Sequence, residues 1–376
     1  MDINNVIIYI MAGFMTLGAI DYCMGNKMGL GERFKEAFMA MGPLTLAMVG
    51  IVSLSPVLAA VVLPVIGPIY KLIGADPSSF ANTLLALDMG GYALAQELAQ
   101  SPEAGLFAWV FLGTMMGPTF VFTIPVALGI IDCKDRQYFA KGILLGIITV
   151  PIGCLVGGLL AGFSLKMIVL NLFPTMLISL LIAFGLWKAP DSIMKAFTAF
   201  GKLVQVVAIF GLVAIIVETL TGSIIIPGMI PLDEGIRTVG RIAIVLAGAF
   251  PMVTFLNRFF RKSLARVGTI MGISETAATG LLASLAHHIP MFALLKEMDP
   301  RGKVMNAAFS VSGAFVFGSH LGFVAGINKE LVFAMVVGKL VAGLTAVVLA
   351  GVTTARTGSD PALSLGLHTP PLGRKV

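Results

Sequence analysis

The chain has 376 residues, of which 57% are hydrophobic and only 12% charged, about half the charged share of a soluble domain (roughly 25%). With a mean hydropathy of +0.98 it is excluded from the water-soluble globules, and its net charge of +6 is too small and too dispersed for a nucleic-acid surface. A polytopic membrane protein remains. Its apolar runs do not alternate with polar residues, so they read as helices and not as the strands of a barrel.

In chain order, residues 3–20 form the first run. No basic stretch precedes it and no small-residue cleavage pattern follows, which predicts a retained transmembrane helix. The run over 43–73 carries Pro56 and Pro64 and fits one tilted helix, a helix plus a hairpin, or two broken helices. Residues 106–131 contain "GTMMGPTFVFTIP" (113–125), a kinked helix whose hydroxyls and freed carbonyls are re-satisfied internally. Further apolar runs cover 142–165, 167–187, 203–217, 304–328 and 331–355 and read as helices that cross about 30 Å of hydrocarbon, the 15-residue run 203–217 with flanking residues added. About ten spans are expected in all. The basic stretches 26–35, 257–266 and 296–303 read as short cytoplasmic loops. Cys23, Cys133 and Cys154 have no CxxC spacing and read as structural thiols. Residues 356–376 lack periodicity and read as a disordered tail.

Sliding the chain against itself pairs Gly74 with Gly272, Pro102 with Pro300 and Lys141 with Lys339 at one offset of 198. That predicts two structural repeats, 1–162 and 201–355, with a linker helix and loop over 163–200. An odd linker helix allows the second copy to insert upside down. At this offset "LLALDMGGYALAQELAQSP" (84–102) falls on "LASLAHHIPMFALLKEMDP" (282–300), each apolar with a polar, helix-breaking middle. Paired broken or re-entrant segments in two related halves mark secondary transporters, where unwound backbone lines the substrate site near the midplane. The expected site is therefore 86–97 together with 284–295.

Asp88 is the sharpest signal within these segments. A carboxylate in a span costs roughly 2.5–3.5 kcal/mol, so it must face the bundle interior, either as counter-charge to a cation or as half of a structural pair. Gly90 and Gly91 offer freed carbonyls. Tyr92 is a hydroxyl donor, a cation–π wall or a core ring, and Glu97, about 13 Å further along a helix, belongs to the membrane boundary. His287 and His288 are adjacent and make a poor chelate; one of them facing the cavity could bond a substrate or accept a proton. Asn306 and His320, four turns apart on one expected helix with Ser319 beside the latter, fit either one cavity face or interhelical hydrogen bonds. No metal site, cofactor motif, P-loop or hydrolase motif is present in the sequence.

The stretches "FMAMGPLTLAMVG" (38–50), "LDMGGYALAQELA" (87–99), "GTMMGPTFVFTIPVALGII" (113–131), "VPIGC" (150–154) and "RGKVMNAAFSVSGAFVFGSHLGF" (301–323) closely resemble the bacterial ethanolamine permease family, the EutH-type proteins. The resemblance implies import of ethanolamine across the bacterial cytoplasmic membrane, with lipid as surroundings, no nucleic-acid partner and the oligomeric state open. Another small amine, or a membrane-embedded sensor or enzyme, is the alternative. Ethanolamine at neutral pH is a small ammonium bearing one hydroxyl. Asp88, nearby carbonyls and Tyr92 suit the ammonium, His287, His288 or His320 suit the hydroxyl, and Met89, Phe122 and Phe292 suit the walls.

Overall fold

The computed structural model describes residues 3–354, and among them every element is helical. The first helix, α1, covers Ile3–Cys23. It leads through a turn held by Asp21, whose carboxylate accepts from the backbone N–H groups of Met28, Leu30 and Gly31, into α2, Gly31–Ile73. This is the single long helix among the three expectations for 43–73. It absorbs Pro56, Pro64 and Pro68 and a π-turn over Thr45–Val49, where Thr45 Oγ1 bonds back to the Met41 carbonyl. Such distortions re-satisfy backbone groups that proline frees.

Two short helices follow, α3 (Ser78–Leu84) and α4 (Gly91–Leu98), and then the long helices α5 (Pro102–Ile130), α6 (Cys133–Leu160), α7 (Leu165–Lys188) and α8 (Pro190–Thr221). Helix α9 runs over Leu232–Met271. The stretch 257–266, expected as a basic loop, is therefore the continuation of this helix beyond its apolar part, Leu232–Leu256. Short helices α10 (Glu275–Ala286) and α11 (Ile289–Leu294) come next. The long helix expected over 304–328 is split into α12 (Pro300–Ser312) and α13 (Ser319–Ile327), and α14 (Lys329–Thr353) closes the described chain.

Eight helices among the described residues are long and apolar enough to cross a bilayer. The chain is an all-α multi-pass membrane protein. The expectation of about ten spans counted the interrupted segments and the split helix, which are built from pieces too short to cross alone. The tail 356–376 lies outside the described residues.

The order of elements after Gly74 recurs after Gly272. Both glycines end a long helix in the left-handed region, at φ +77° and +67°. Each is followed by a short helix, a break, another short helix and then a proline-started helix. One aspartate–serine couple ties each interrupted segment to the helix after it, with the roles exchanged. In the first, Asp76 caps Ser78 and accepts from the N–H groups of Gln100 and Ser101, while Ser101 caps α5 through Ala104. In the second, Asp299 caps α12 through Gly302 and accepts from Ser274 N–H at 2.7 Å, while Ser274 caps α10 through Ala277.

Long helices far apart in the chain meet by way of glycine. A Cβ at Gly50 of α2 would lie 1.9 Å from the Ala208 carbonyl oxygen of α8, and one at Gly248 of α9 would lie 2.3 Å from the Met11 carbonyl oxygen of α1. Helices α6 and α14 meet the same way, Gly153 against the Gly338 carbonyl at 2.4 Å. Small residues let backbones approach where lipid gives no hydrophobic drive. Gly50→Ala is expected to lower the thermal midpoint in detergent by the equivalent of about 1–3 kcal/mol of overpacking. Gly240→Ala, where a Cβ meets nothing within 4 Å, should be neutral or gain up to about 1 kcal/mol from helix propensity.

Candidate functional site

The first break is local chemistry. Helix α3 stops at Leu84, Leu85 and Ala86 are extended, and one 3₁₀ turn over Leu87–Met89 carries Asp88 before Gly90 turns the chain at φ +92°. Only glycine fits there, since a Cβ would lie 2.2 Å from Ile51. The Leu85 carbonyl points at α5, where a Cβ on Gly117 would come within 2.0 Å of it. Asp88 therefore stands on an isolated turn, not on a helix face.

The second break is knitted to the gap in the split helix. His287 is extended after α10. The carbonyls of Ser284 and Leu285, released where α10 ends, accept from Phe315 N–H at 3.0 Å and Phe317 N–H at 2.9 Å. Phe315 sits at φ +61°, a conformation that costs a non-glycine residue about 1 kcal/mol or more and aims both amides across the gap. Lipid offers no partner for such groups, so each unwound segment satisfies the other.

Between these breaks lies a cavity of ≈ 750 Å³. One wall comes from α2, α8 and α9, through residues such as Leu44, Thr198, Lys202, Gln205 and Phe250. The other comes from the breaks and α5 and holds Asp88, Met89, Phe122, His287, Phe315, Ser319 and His320. Six of the residues expected at the site therefore share one cavity: Asp88, Met89, Phe122, His287, Ser319 and His320. Among the described residues Asp88 forms no ion pair.

The remaining candidates serve elsewhere. Gly90 shapes the turn. Tyr92 packs edge-on against Trp109 and Phe323, with centroids at 5.2 and 5.4 Å, and does not line the cavity. His288 is fully buried behind it, its Nε2 3.0 Å from Thr123 Oγ1 and its ring stacked on Phe122. Phe292 is buried against His288 and Phe139. Asn306 donates to the Ala277 and Gly302 carbonyls, both at 2.9 Å. The face it was expected to share with His320 does not exist, because the helix breaks between them. Glu97 is exposed on α4, away from the cavity.

Sequence reasoning missed Lys339. It lies in the middle of apolar α14 with no exposed surface, and its Nζ donates to the Thr114 carbonyl at 2.6 Å and meets His320 Nδ1 at 3.1 Å. Thr114 O is available because Pro118, four residues on, has no N–H to offer it. The signal was a lone charge within a span, a marker of function by itself, which served only to align the halves. Among the described residues no group of three or more metal-ligating side chains gathers.

Residues 3–353 match the family described as "Ethanolamine utilisation protein, EutH". The chain belongs to the EutH family. Its relatives include "Uncharacterized protein YxeR" of Bacillus subtilis, 61% identical over 346 residues that cover 92% of this chain and 94% of that one. "Probable ethanolamine permease EutH" of Listeria monocytogenes is 59% identical over 347 residues, covering 92% and 93%. The protein of the same description from Salmonella typhimurium is 44% identical, covering 92% and 94%. No solved structure matches the chain. In this EutH-family chain Asn306 holds α10 to α12, so Asn306→Ala is expected to cost about 0.5–1.5 kcal/mol by removing the side-chain bond to the Ala277 carbonyl. Thermal unfolding should register that loss while ligand affinity of the folded fraction is unchanged.

Proposed function

We propose that this chain is an ethanolamine permease of the bacterial cytoplasmic membrane that binds its substrate as the ammonium cation between the two breaks. The observation that carries the reading is a carboxylate without an ion pair, Asp88, facing a cavity lined by unwound backbone inside a membrane protein. The names of the Listeria and Salmonella relatives agree with it. A primary ammonium brings one charge and three N–H donors, and a charge-assisted bond to Asp88 is the strong anchor for it. Ser319, His320 and His287 supply donors and acceptors for the hydroxyl. Met89, Phe122 and Phe315 take the two methylenes. The chemistry is binding and release, with no bond of the substrate broken.

The cavity is far larger than a ligand of four heavy atoms, which suits a vestibule leading to a smaller polar end at Asp88. It lies between α2, α8 and α9 on one side and the breaks with α5 on the other. Alternating access follows if these two bodies rock about the site, with the segments 1–162 and 201–355 as inverted copies and 163–200 as linker. The packing of α1 on α9 and of α8 on α2 supports that symmetry. The loop after α1 meets the basic end of α9, where Arg258 donates to the Met28 carbonyl, and a basic end of this kind suits the cytoplasmic side.

Purified protein in liposomes is expected to take up labelled ethanolamine saturably, with small primary amines that lack the hydroxyl competing more weakly. Absence of uptake under both pH and ion gradients would overturn the permease reading. Asp88→Asn removes a charge-assisted bond of about 2–3 kcal/mol, so apparent affinity should fall roughly 30- to 150-fold with expression intact. Unaltered transport kinetics in that variant would remove Asp88 from the site.

A further inference from the structure

Lys339 is an ammonium of the same chemical kind as the proposed cargo, enclosed beside the cargo's site. Its two visible partners, the Thr114 carbonyl and His320 Nδ1, are both neutral acceptors, and a buried ammonium needs a counter-charge. The carboxylate that shares the cavity lining with His320, the partner of Lys339, is Asp88. The empty site is then a balanced couple, Asp88 negative and Lys339 positive. When a second ammonium settles on Asp88, two cations face one carboxylate where charges are poorly screened, and they repel one another.

The hydrogen bond to His320 offers the way out. It reads equally as Lys339 N–H donating to a neutral imidazole or as imidazole Nδ1–H donating to a neutral amine. His320 also lines the cavity, so a proton passed from Lys339 to the ring reaches the cavity without crossing apolar protein. The other titratable groups around this pair are Cys154 on α6, His287 and His288 on the second break, and Lys202 on the opposite, α8 wall of the cavity. Cys154 and His288 are both fully buried, which leaves His320 as the group that joins Lys339 to the cavity.

We infer that Lys339 is the resident cation of the site and that it exchanges its proton for the cargo. Resting on the ethanolammonium reading above, the step is balanced. Ethanolammonium binds Asp88 and one proton leaves Lys339 through His320 to the side from which the cargo came. After the site reorients and the cargo departs, Lys339 takes up one proton from the other side by the same route. One organic cation enters for each proton that leaves, and the site carries the same net charge loaded and empty. Transport is therefore electroneutral and driven by the amine and pH gradients.

The test is the calorimetric binding of ethanolamine to the purified wild-type protein at neutral pH in buffers of different ionisation enthalpy. One proton released per ligand bound is expected. Binding whose heat is the same in every buffer overturns the inference while leaving the permease intact, whereas absence of binding overturns the permease reading first. Lys339→Met should still bind and release no proton, and its uptake in liposomes should become electrogenic, with accumulation rising about tenfold for each ~60 mV of inside-negative potential. Wild-type uptake should not respond to potential. Lys339→Arg, whose guanidinium does not give up its proton, should lose binding, because an arriving ammonium would always meet a second, permanent cation beside Asp88. A Lys339→Met protein that binds and still releases a proton also overturns the assignment.

Discussion

Everything in this molecule depends on satisfying backbone hydrogen bonds where water is excluded. A helix meets that demand internally, and eight long helices do so here with π-turns and proline kinks that cost little. The two interrupted segments cannot. The second break meets the gap in the split helix, where the carbonyls of Ser284 and Leu285 take the amides of Phe315 and Phe317. At the first break the Leu85 carbonyl takes the Asn82 side-chain amide at 3.4 Å and packs close to Gly117 of α5. The site exists because the breaks are held together, and the breaks are tolerable because they flank a cavity.

The same accounting separates carboxylates that hold backbone or an ion pair from Asp88. Asp21 and Asp76 each accept three backbone N–H groups, and Asp299 accepts two. Asp135 is paired with Lys303 at 2.6 Å. These carboxylates anchor turns, caps and the contact of α6 with α12. Asp88 has none of these arrangements, and Lys339 is bonded only to neutral groups. In the proposed reading these two opposite charges balance each other in the empty site, and a bound cation disturbs that balance.

Proline and glycine do much of the placing. Pro118 removes the donor that would occupy the Thr114 carbonyl, and so creates the acceptor for Lys339. Gly90 permits the turn behind Asp88, and Gly50, Gly248, Gly153 and Gly338 bring long helices to backbone contact. The aromatic residues have the complementary task. Tyr92, Trp109 and Phe323 form a packed cluster behind the first break, while Phe122, Phe315 and His288 stack behind the second. Each break is thus a thin polar layer on a rigid apolar backing.

The sequence by itself determined the class of the molecule and the positions of its breaks, because hydropathy, proline and glycine act locally. Asp88 was legible for the same reason: a carboxylate inside an apolar run is improbable without a task. The split at 313–318 was not legible, because "GAFVFG" is apolar and would continue a helix were it not for the carbonyls of Ser284 and Leu285, which lie thirty residues away in sequence. Asn306 and His320 were for that reason given one face when they serve different contacts. Tyr92, His288 and Phe292 sit near the cavity in sequence yet turn away from it, since side-chain direction in an unwound segment follows no period. Only the tertiary structure decided that Lys339 of the last helix reaches Thr114 and His320, because that contact depends on how three distant helices pack and on one carbonyl that Pro118 leaves free.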